Sequence, residues 1–261
     1  PWLDLPTAEG FNVRAVNLLV AAWFLIFSLP MFLLVKDPEP TRPGIRVGEA
    51  FQELRHTFHE INRYRELAKF LLARLIYNDG LGTIFAMIGI FAGQAFGWDT
   101  AQILIFGIAA NVTAGTGAFV FGFLDDRLGG KKTVMVSVVA LALGVLLGVS
   151  TRSEALFWVA GLTAAIFAGP NQAASRSLMA RFTPAHRQAE FFGFYAFSGK
   201  VTTFAGPLLV GTATGLFDNI RVGMGTIVIF FLFGGLVLAT VDEREGKRAA
   251  GGGTGLASPD L

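Results

Sequence analysis

The sequence predicts an all-α membrane protein with seven transmembrane helices. Three observations lead there. The 261 residues are 53% hydrophobic and only 15% charged, against about 25% charged in an ordinary soluble domain. Seven apolar segments, near 15–35, 70–96, 101–124, 133–149, 155–175, 191–217 and 222–241, approach or exceed the length of a bilayer crossing, which is about 20 residues. Five of the seven hold no Asp, Glu, Lys or Arg. In hydrocarbon the backbone must satisfy itself, so runs of this length are read as helices.

Taken in order, the segment at 15–35 is apolar on every face, as a lipid-surrounded helix is. The connection that follows is long and basic. Within it Val47, Phe51, Leu54, Phe58 and Ile61 form one stripe at helical spacing, with Glu49, Glu53, Arg55, His56 and Glu60 on the other faces. That pattern predicts an amphipathic helix on the membrane surface. The second segment carries Arg74 and Asp79, and the sixth carries Lys200. In the third, Ala114, Ala118 and Gly122 recur every fourth residue, as do Gly107, Asn111 and Gly115, a spacing that lets helices approach closely. The sixth repeats it with Ser198, Thr202 and Gly206, and Pro207 then predicts a kink. The fourth and seventh are charge-free. Trp98 and Trp158 fall at segment ends, where tryptophans anchor to the interface. The stretch 242–261, polar and then glycine-rich, is expected to be a disordered tail.

Sixteen Lys and Arg fall on one side of the predicted membrane and three, Arg14, Arg152 and Arg221, on the other. The sixteen-residue side is predicted cytoplasmic. The C-terminus is then inside and the first residues outside.

Function classes narrow quickly. The chain has no cysteine, which removes disulfides, thiol nucleophiles and thiolate metal sites. No phosphate loop, catalytic triad or metal-ligand cluster is present, so no enzyme activity, metal or cofactor is expected. Topology accounts for the basic loops, and nucleic acid is not an expected partner.

Charges inside hydrocarbon cost a few kcal/mol, about 2.5–3.5 on insertion scales, and mark substrate or ion paths. Asp79 lies nine residues beyond Phe70 and Lys200 nine beyond Phe191, which is about 14 Å and near mid-membrane. Arg74 is only about 6 Å deep and can extend to the headgroups. Two readings of Asp79 and Lys200 stand side by side. They form an ion pair tethering two helices, or they line a path in which Lys200, with Arg74, receives an anionic group while Asp79 takes an amine or a coupling proton. Tyr77, Asn78, Asn111, Asn171 and Gln172 are the uncharged path candidates, the last two following Pro170. Arg176 and Glu190, at the cytoplasmic ends of the fifth and sixth segments, are candidates for a gate.

The loop after the third segment reads Gly122-Phe-Leu-Asp125-Asp126-Arg127-Leu-Gly129-Gly-Lys131-Lys132. Gly122 permits close packing and Gly129 a turn with positive φ. Asp126 sits at a helix C-terminus, where a bare carboxylate needs a cation such as Arg127. This loop resembles the signature of the major facilitator superfamily, G-x3-D-[RK]-x-G-x-[RK]-[RK], at every fixed position. With Ala73-Arg74-Leu-Ile-Tyr77-Asn78-Asp79-Gly80, Gly169-Pro170-Asn171-Gln172-Ala-Ala-Ser175-Arg176 and Glu190-Phe191-Phe192-Gly193-Phe194-Tyr195, the chain resembles the vacuolar effluxer-like branch. That branch holds fungal autophagy-related amino-acid exporters and bacterial members.

The resemblance runs through about 12–241. It implies helices 6–12 of a twelve-helix fold. Residues 1–36 are then the last helix of an N-terminal half, 37–69 a cytoplasmic linker and 70–241 the C-terminal six-helix half. It implies secondary transport of a small polar solute; protons are a candidate coupling ion, and a bacterial inner membrane is the expected location. The loop Gly122–Lys132 would be a conformational latch, and the rest of the N-terminal half the missing partner. Two rival readings are a seven-helix receptor or photoreceptor, with Lys200 as a Schiff-base lysine, and a non-transporting membrane scaffold.

Overall fold

Every element among the described residues is a helix. The computed structural model describes residues 11–35 and 64–251, without side-chain detail for 11–14, 123–128 and 186. The expected surface helix near 47–61 lies outside them. The chain divides into two compact units, 1–53 and 54–261.

In the first unit, α1 spans Phe11–Leu34 and contains Pro30. Its large side chains, including Trp23, Phe24 and Phe27, are exposed, which is what a helix with a lipid-facing surface on all sides requires.

The second unit begins with α2, Arg65–Phe96, the longest helix at 32 residues. It ends at Gly97 (φ 73°), whose N–H donates to Gly93 O while Trp98 N–H donates to Ala92 O. This left-handed glycine cap satisfies carbonyls that the last turn leaves open. Two residues later a reciprocal box opens α3, Thr100–Leu128. Asp99 Oδ1 accepts the Gln102 N–H at 2.8 Å, and Gln102 Oε1 accepts the Asp99 N–H at 3.0 Å. Then come α4, Gly130–Ser150, and α5, Glu154–Phe182, followed by a short 3-10 turn at Ala185–Arg187. The predicted sixth span is two helices, α6 (Gln188–Ser198) and α7 (Ala205–Phe217). The seventh is α8 (Ile220–Gly225) running through Thr226 into α9 (Ile227–Ala239).

Among the described residues five stretches are long and apolar enough to cross a membrane: Ala15–Leu34, Arg65–Phe96, Thr100–Gly122, Gly130–Ser150 and Ile220–Ala239. The chain is a multi-pass membrane protein. The predicted fifth span lies within α5, whose later turns carry Asn171, Gln172, Ser175 and Arg176 and so dilute its hydropathy.

Packing within this unit has two centres. α5 lies against both α4 and α3, while α9 lies against α2 and α4. Where α3 crosses α5, Gly169 faces the Ala114 carbonyl and Gly117 faces the Ile166 carbonyl so closely that a Cβ at either position would strike backbone. Ala114 and Ala118 therefore serve the close approach their spacing predicts. Gly107, Gly115 and Gly122 face open space, so the close contact expected at Gly122 is not formed.

Trp98 corrects another expectation. It is 6% exposed and packs on Phe106, Phe157 and Trp158, with ring centroids 5.0–5.7 Å apart in this cluster except where Phe96 joins it. It is core, not an interfacial anchor. The same end of the bundle is tied by Arg221, which donates to Val149 O at 3.1 Å, to Thr151 O and to Ala95 O at 3.5 Å, and lies 5.0 Å from the Phe96 ring. One cation thus meets the carbonyl ends of α2 and α4, where helix dipoles favour positive charge.

The tail expected over 242–261 is corrected in its first part. Residues Glu243–Gly251 form α10, and Gly246 is buried against the Phe182 ring. Asp242 begins it, its Oδ1 accepting the N–H groups of Arg244 (2.8 Å) and Glu245 (3.0 Å). Those two bonds hold the Asp242 carboxyl below its ordinary range. A side-chain cap and a glycine contact supply the order that the polar composition hid.

Candidate functional site

The site is the interruption between α6 and α7 and the stretch of α2 that faces it. Pro207 explains the position of the break. It has no N–H for the carbonyl four residues back, Thr203, and its ring crowds that carbonyl. Residues 199–204 accordingly form tight turns. Thr203 N–H donates to Lys200 O at 3.3 Å, and Ala205 N–H to Thr202 O at 2.8 Å, the i to i+3 pattern of tightened backbone.

Both broken ends are held by α2. Arg74 donates to Tyr195 O at 2.8 Å and to Ser198 Oγ at 3.0 Å, with its guanidinium carbon 3.6 Å from the Tyr195 ring centre. Asn78 Nδ2, one turn on, donates to Gly199 O at 3.2 Å. A Cβ at Gly199 would stand 2.7 Å from an Arg74 nitrogen, so a larger residue there makes the guanidinium shift. The C-terminus of α6 thus receives a cation and an amide. The N-terminus of α7 receives the anion: Asp79 Oδ2 accepts the Gly206 N–H at 3.1 Å. Each charge sits where a helix dipole favours it. Asp79 is 3% exposed, and its Oδ1 is buried with no hydrogen-bond partner.

Lys200 lies in the turn and is exposed. No ion pair joins it to Asp79 among the described residues, so the interhelical tether is not formed. Asp79 is held by backbone instead, and Lys200 is left with its ammonium outward.

A second buried polar group joins α2 to α5. The hydroxyls of Tyr77 and Ser175 are 2.8 Å apart, and Ser175 Oγ donates to Asn171 O at 2.6 Å. Asn171 is 1% exposed with Nδ2 unpaired. Gln172 turns to the exposed face. Asn111 donates to Gly107 O at 2.8 Å and lines a cavity of about 850 Å³ between α2, α3, α4 and α5. The other walls of that cavity are apolar, with Phe91, Trp98, Phe106 and Phe157 among them. The structure therefore gathers Arg74, Asn78 and Asp79 at the break and Tyr77 with Asn171 beside it. Gln172, Asn111 and Lys200 occupy open faces.

At the other end, Gly129 makes the expected turn with φ 88°. The side chains of Asp126 and Arg127 lie outside the described residues. Lys132 is exposed, while Lys131 Nζ reaches Ala239 O (2.9 Å) and Val241 O (2.5 Å) at the end of α9. Glu190 does not pair with Arg176, which is exposed. It takes a two-pronged bond from Arg187, at 2.9 and 3.1 Å. Sequence reasoning missed Ser175 and the caps at Ser198 and Gly206. Pro207 was the available signal, since it names the carbonyl that must go unpaired.

The vacuole effluxer Atg22-like family model matches residues 5–251. The chain is 31% identical over 246 residues to an uncharacterized MFS-type transporter, YxiO, of Bacillus subtilis, covering 92% of this chain and 56% of that protein. It is 23% identical over 267 residues to autophagy-related protein 22 of Coccidioides immitis, covering 92% and 44%. For the protein of that name in Eremothecium gossypii the figures are 24% over 268 residues, 94% and 52%. The chain spans about half the length of these relatives. Reaching across nearly all of its described helices, the match shows that the chain belongs to the Atg22-like vacuole effluxer family, a branch of the major facilitator-type transporters.

Proposed function

We propose that this chain is the C-terminal portion of a secondary transporter that moves a small polar solute, amino acids first among the candidates, by alternating access. The observation that carries this reading is the interrupted helix α6–α7, pinned at both ends by Arg74, Asn78 and Asp79. Broken helices buried in a membrane protein place backbone ends and charges where solutes and ions bind.

On this reading α1 to α5, the pair α6–α7 and the pair α8–α9 are the seven spans, and they correspond to helices 6–12 of the twelve-helix fold. Residues 1–36 end the N-terminal half and 37–69 link the halves. The six-helix half begins at 70 and, with α10 docked, extends past 241. The C-terminus then lies in the cytoplasm of a bacterial cell, the side that the positive-inside count favours, with Arg176 and Glu190 as gate residues there.

Asp79 acts as the switch of the pathway and carries the coupling proton. While ionised it caps α7, and on protonation that cap weakens. Its free oxygen is sealed from solvent, so an amine reaches it only after the break opens. Lys200, outward from the turn, receives the anionic group of the solute. The N-terminal half closes the other side of the path, where Asn111 and Gln172 face.

The test uses the full-length transporter containing this chain in proteoliposomes with a radiolabelled amino-acid mixture. Asp79→Asn and Lys200→Ala should each abolish uptake while protein levels stay normal. Normal uptake in both would remove them from the pathway.

A further inference from the structure

A cluster of charges at the loop-motif end of the bundle is absorbed by no pathway. Its centre is Glu243, the first residue of α10. Its Oε2 accepts the backbone N–H of Lys131 at 3.1 Å, in the first turn of α4, where a carboxylate complements the helix dipole. Its Oε1 is 2.7 Å from Lys247 Nζ and 3.9 Å from Arg181 Nη1, at the end of α5. A Cβ on Gly129 would lie 3.4 Å from the same carboxylate, so the glycine of the motif turn faces it directly.

The contact is reciprocal. Lys131 sends its ammonium to Ala239 O and Val241 O at the end of α9, while the elbow after α9 sends Glu243 back to the start of α4. Each element supplies the charge that the other's helix end favours. Glu66 of α2 adds a third tie, accepting the Asp242 N–H at 2.5 Å and pairing with Lys69 at 2.6 Å. Gly246, one turn into α10, closes on Phe182 of α5. Five helices, α2, α4, α5, α9 and α10, thus meet at one short elbow, and among the described residues Glu243 touches the motif turn, α5 and α10 together.

We propose that Glu243 is a positioning residue for the Gly129–Lys132 turn: it docks α10 on the loop motif, so that α10 and the motif move as one piece of the six-helix half. The motif then depends on an anion from beyond the last span, in addition to any partner of Asp126 and Arg127. Removing the carboxylate takes the acceptor from the Lys131 N–H and an anion from beside Lys247 and Arg181, while Gly246 on Phe182, Ala249 on the core and the Asp242 tie to Glu66 remain.

The test needs no solute. The chain has no native cysteine, so Ala249→Cys, half-buried where α10 packs on the core, gives a single maleimide site on membrane vesicles. Hydrogen exchange of the peptide covering 129–133 reports on the motif turn. Glu243→Ala should speed both labelling and exchange of the Lys131 amide about tenfold, the size expected when a charge-assisted bond is lost. Glu243→Gln, which keeps an acceptor for the amide, should fall between. Arg248→Ala, an exposed change on the same helix, should match the parent. In the parent, labelling taken relative to a free thiol at the same pH, because the thiolate is the reacting form, should rise in acid as the carboxylate protonates, and Glu243→Gln should lack that rise. Equal labelling and exchange in Glu243→Ala and the parent would overturn the proposal. So would an acid response that persists unchanged in Glu243→Gln, which a merely packed helix would show.

Discussion

Asp79 and Arg221 do opposite work with the same physics. Arg221 closes the carbonyl ends of two helices and rests on phenylalanine faces. Arg221→Ala leaves those carbonyls unpaired, at about 1–3 kcal/mol each, and should lower the thermal unfolding midpoint of the purified chain strongly, by about 3 kcal/mol in stability. An unchanged midpoint would mean that the guanidinium is merely a surface group. Asp79 offers a cleaner separation, because capping and charge can be split. Asp79→Asn keeps an oxygen for the Gly206 N–H and should fold within about 1 kcal/mol of the parent, whereas Asp79→Ala loses the cap and should cost about 0.5–2 kcal/mol. If both unfold alike in a denaturant titration, the bond to Gly206 contributes nothing.

At the scale of elements, the break between α6 and α7 and the docking of α10 are the two features that decide how the chain works. Gly206 lies so close to Thr83 that a Cβ there would overlap the hydroxyl. Gly206→Val should therefore push α7 off α2 and destabilise by about 1–3 kcal/mol, measured by the same unfolding assay. Elbow stability should depend on pH through Glu243. Burial works to raise the Glu243 pKa, but Lys247, the Lys131 N–H and Arg181 together outweigh it, and the group sits below its ordinary value. A depressed carboxylate contributes stability above its unfolded pKa, about 4.3, and loses it as pH falls through the lower folded value. Among the described residues the charged groups facing it are Arg181 of α5 and Lys247 of α10, and α4 faces it with the Lys131 N–H, so only the acid limb should show this loss. Docking should be constant between about pH 6 and 8 and weaken toward pH 3.

How much could be read in advance also differs between elements. The charge-free segments around α3, α4 and α9 were legible because hydropathy and length alone define them. The interruption was not. Residues 199–204 contain no charge but Lys200, and Pro207 signals a kink without saying which groups will hold the loose ends. Trp98 reads identically at a segment end whether it turns toward lipid or into a nest of phenylalanines, and tertiary packing chose the nest. The polar run Glu243–Gly251 puts only small residues, Gly246 and Ala249, on its packed side, so its docking, with one carboxylate on the motif turn, leaves a faint periodic trace that composition hides. At the site, Arg74, Asn78 and Asp79 were found because charge in hydrocarbon is costly, while Ser175 and Gly206 were hidden as ordinary small residues.

For the whole molecule, the account joins a membrane bundle, a broken helix and a family. The family relation rests on a match over residues 5–251, and transport by the full-length protein is the central claim built on it. The measurement that tests it most directly is counterflow of a radiolabelled amino-acid mixture across proteoliposomes holding the full-length protein, with and without Asp79→Asn. The account predicts label accumulating against preloaded unlabelled amino acids in the parent and accumulation lost in Asp79→Asn at equal protein content. Equal counterflow in parent and variant, or none in the parent above protein-free vesicles, would contradict it.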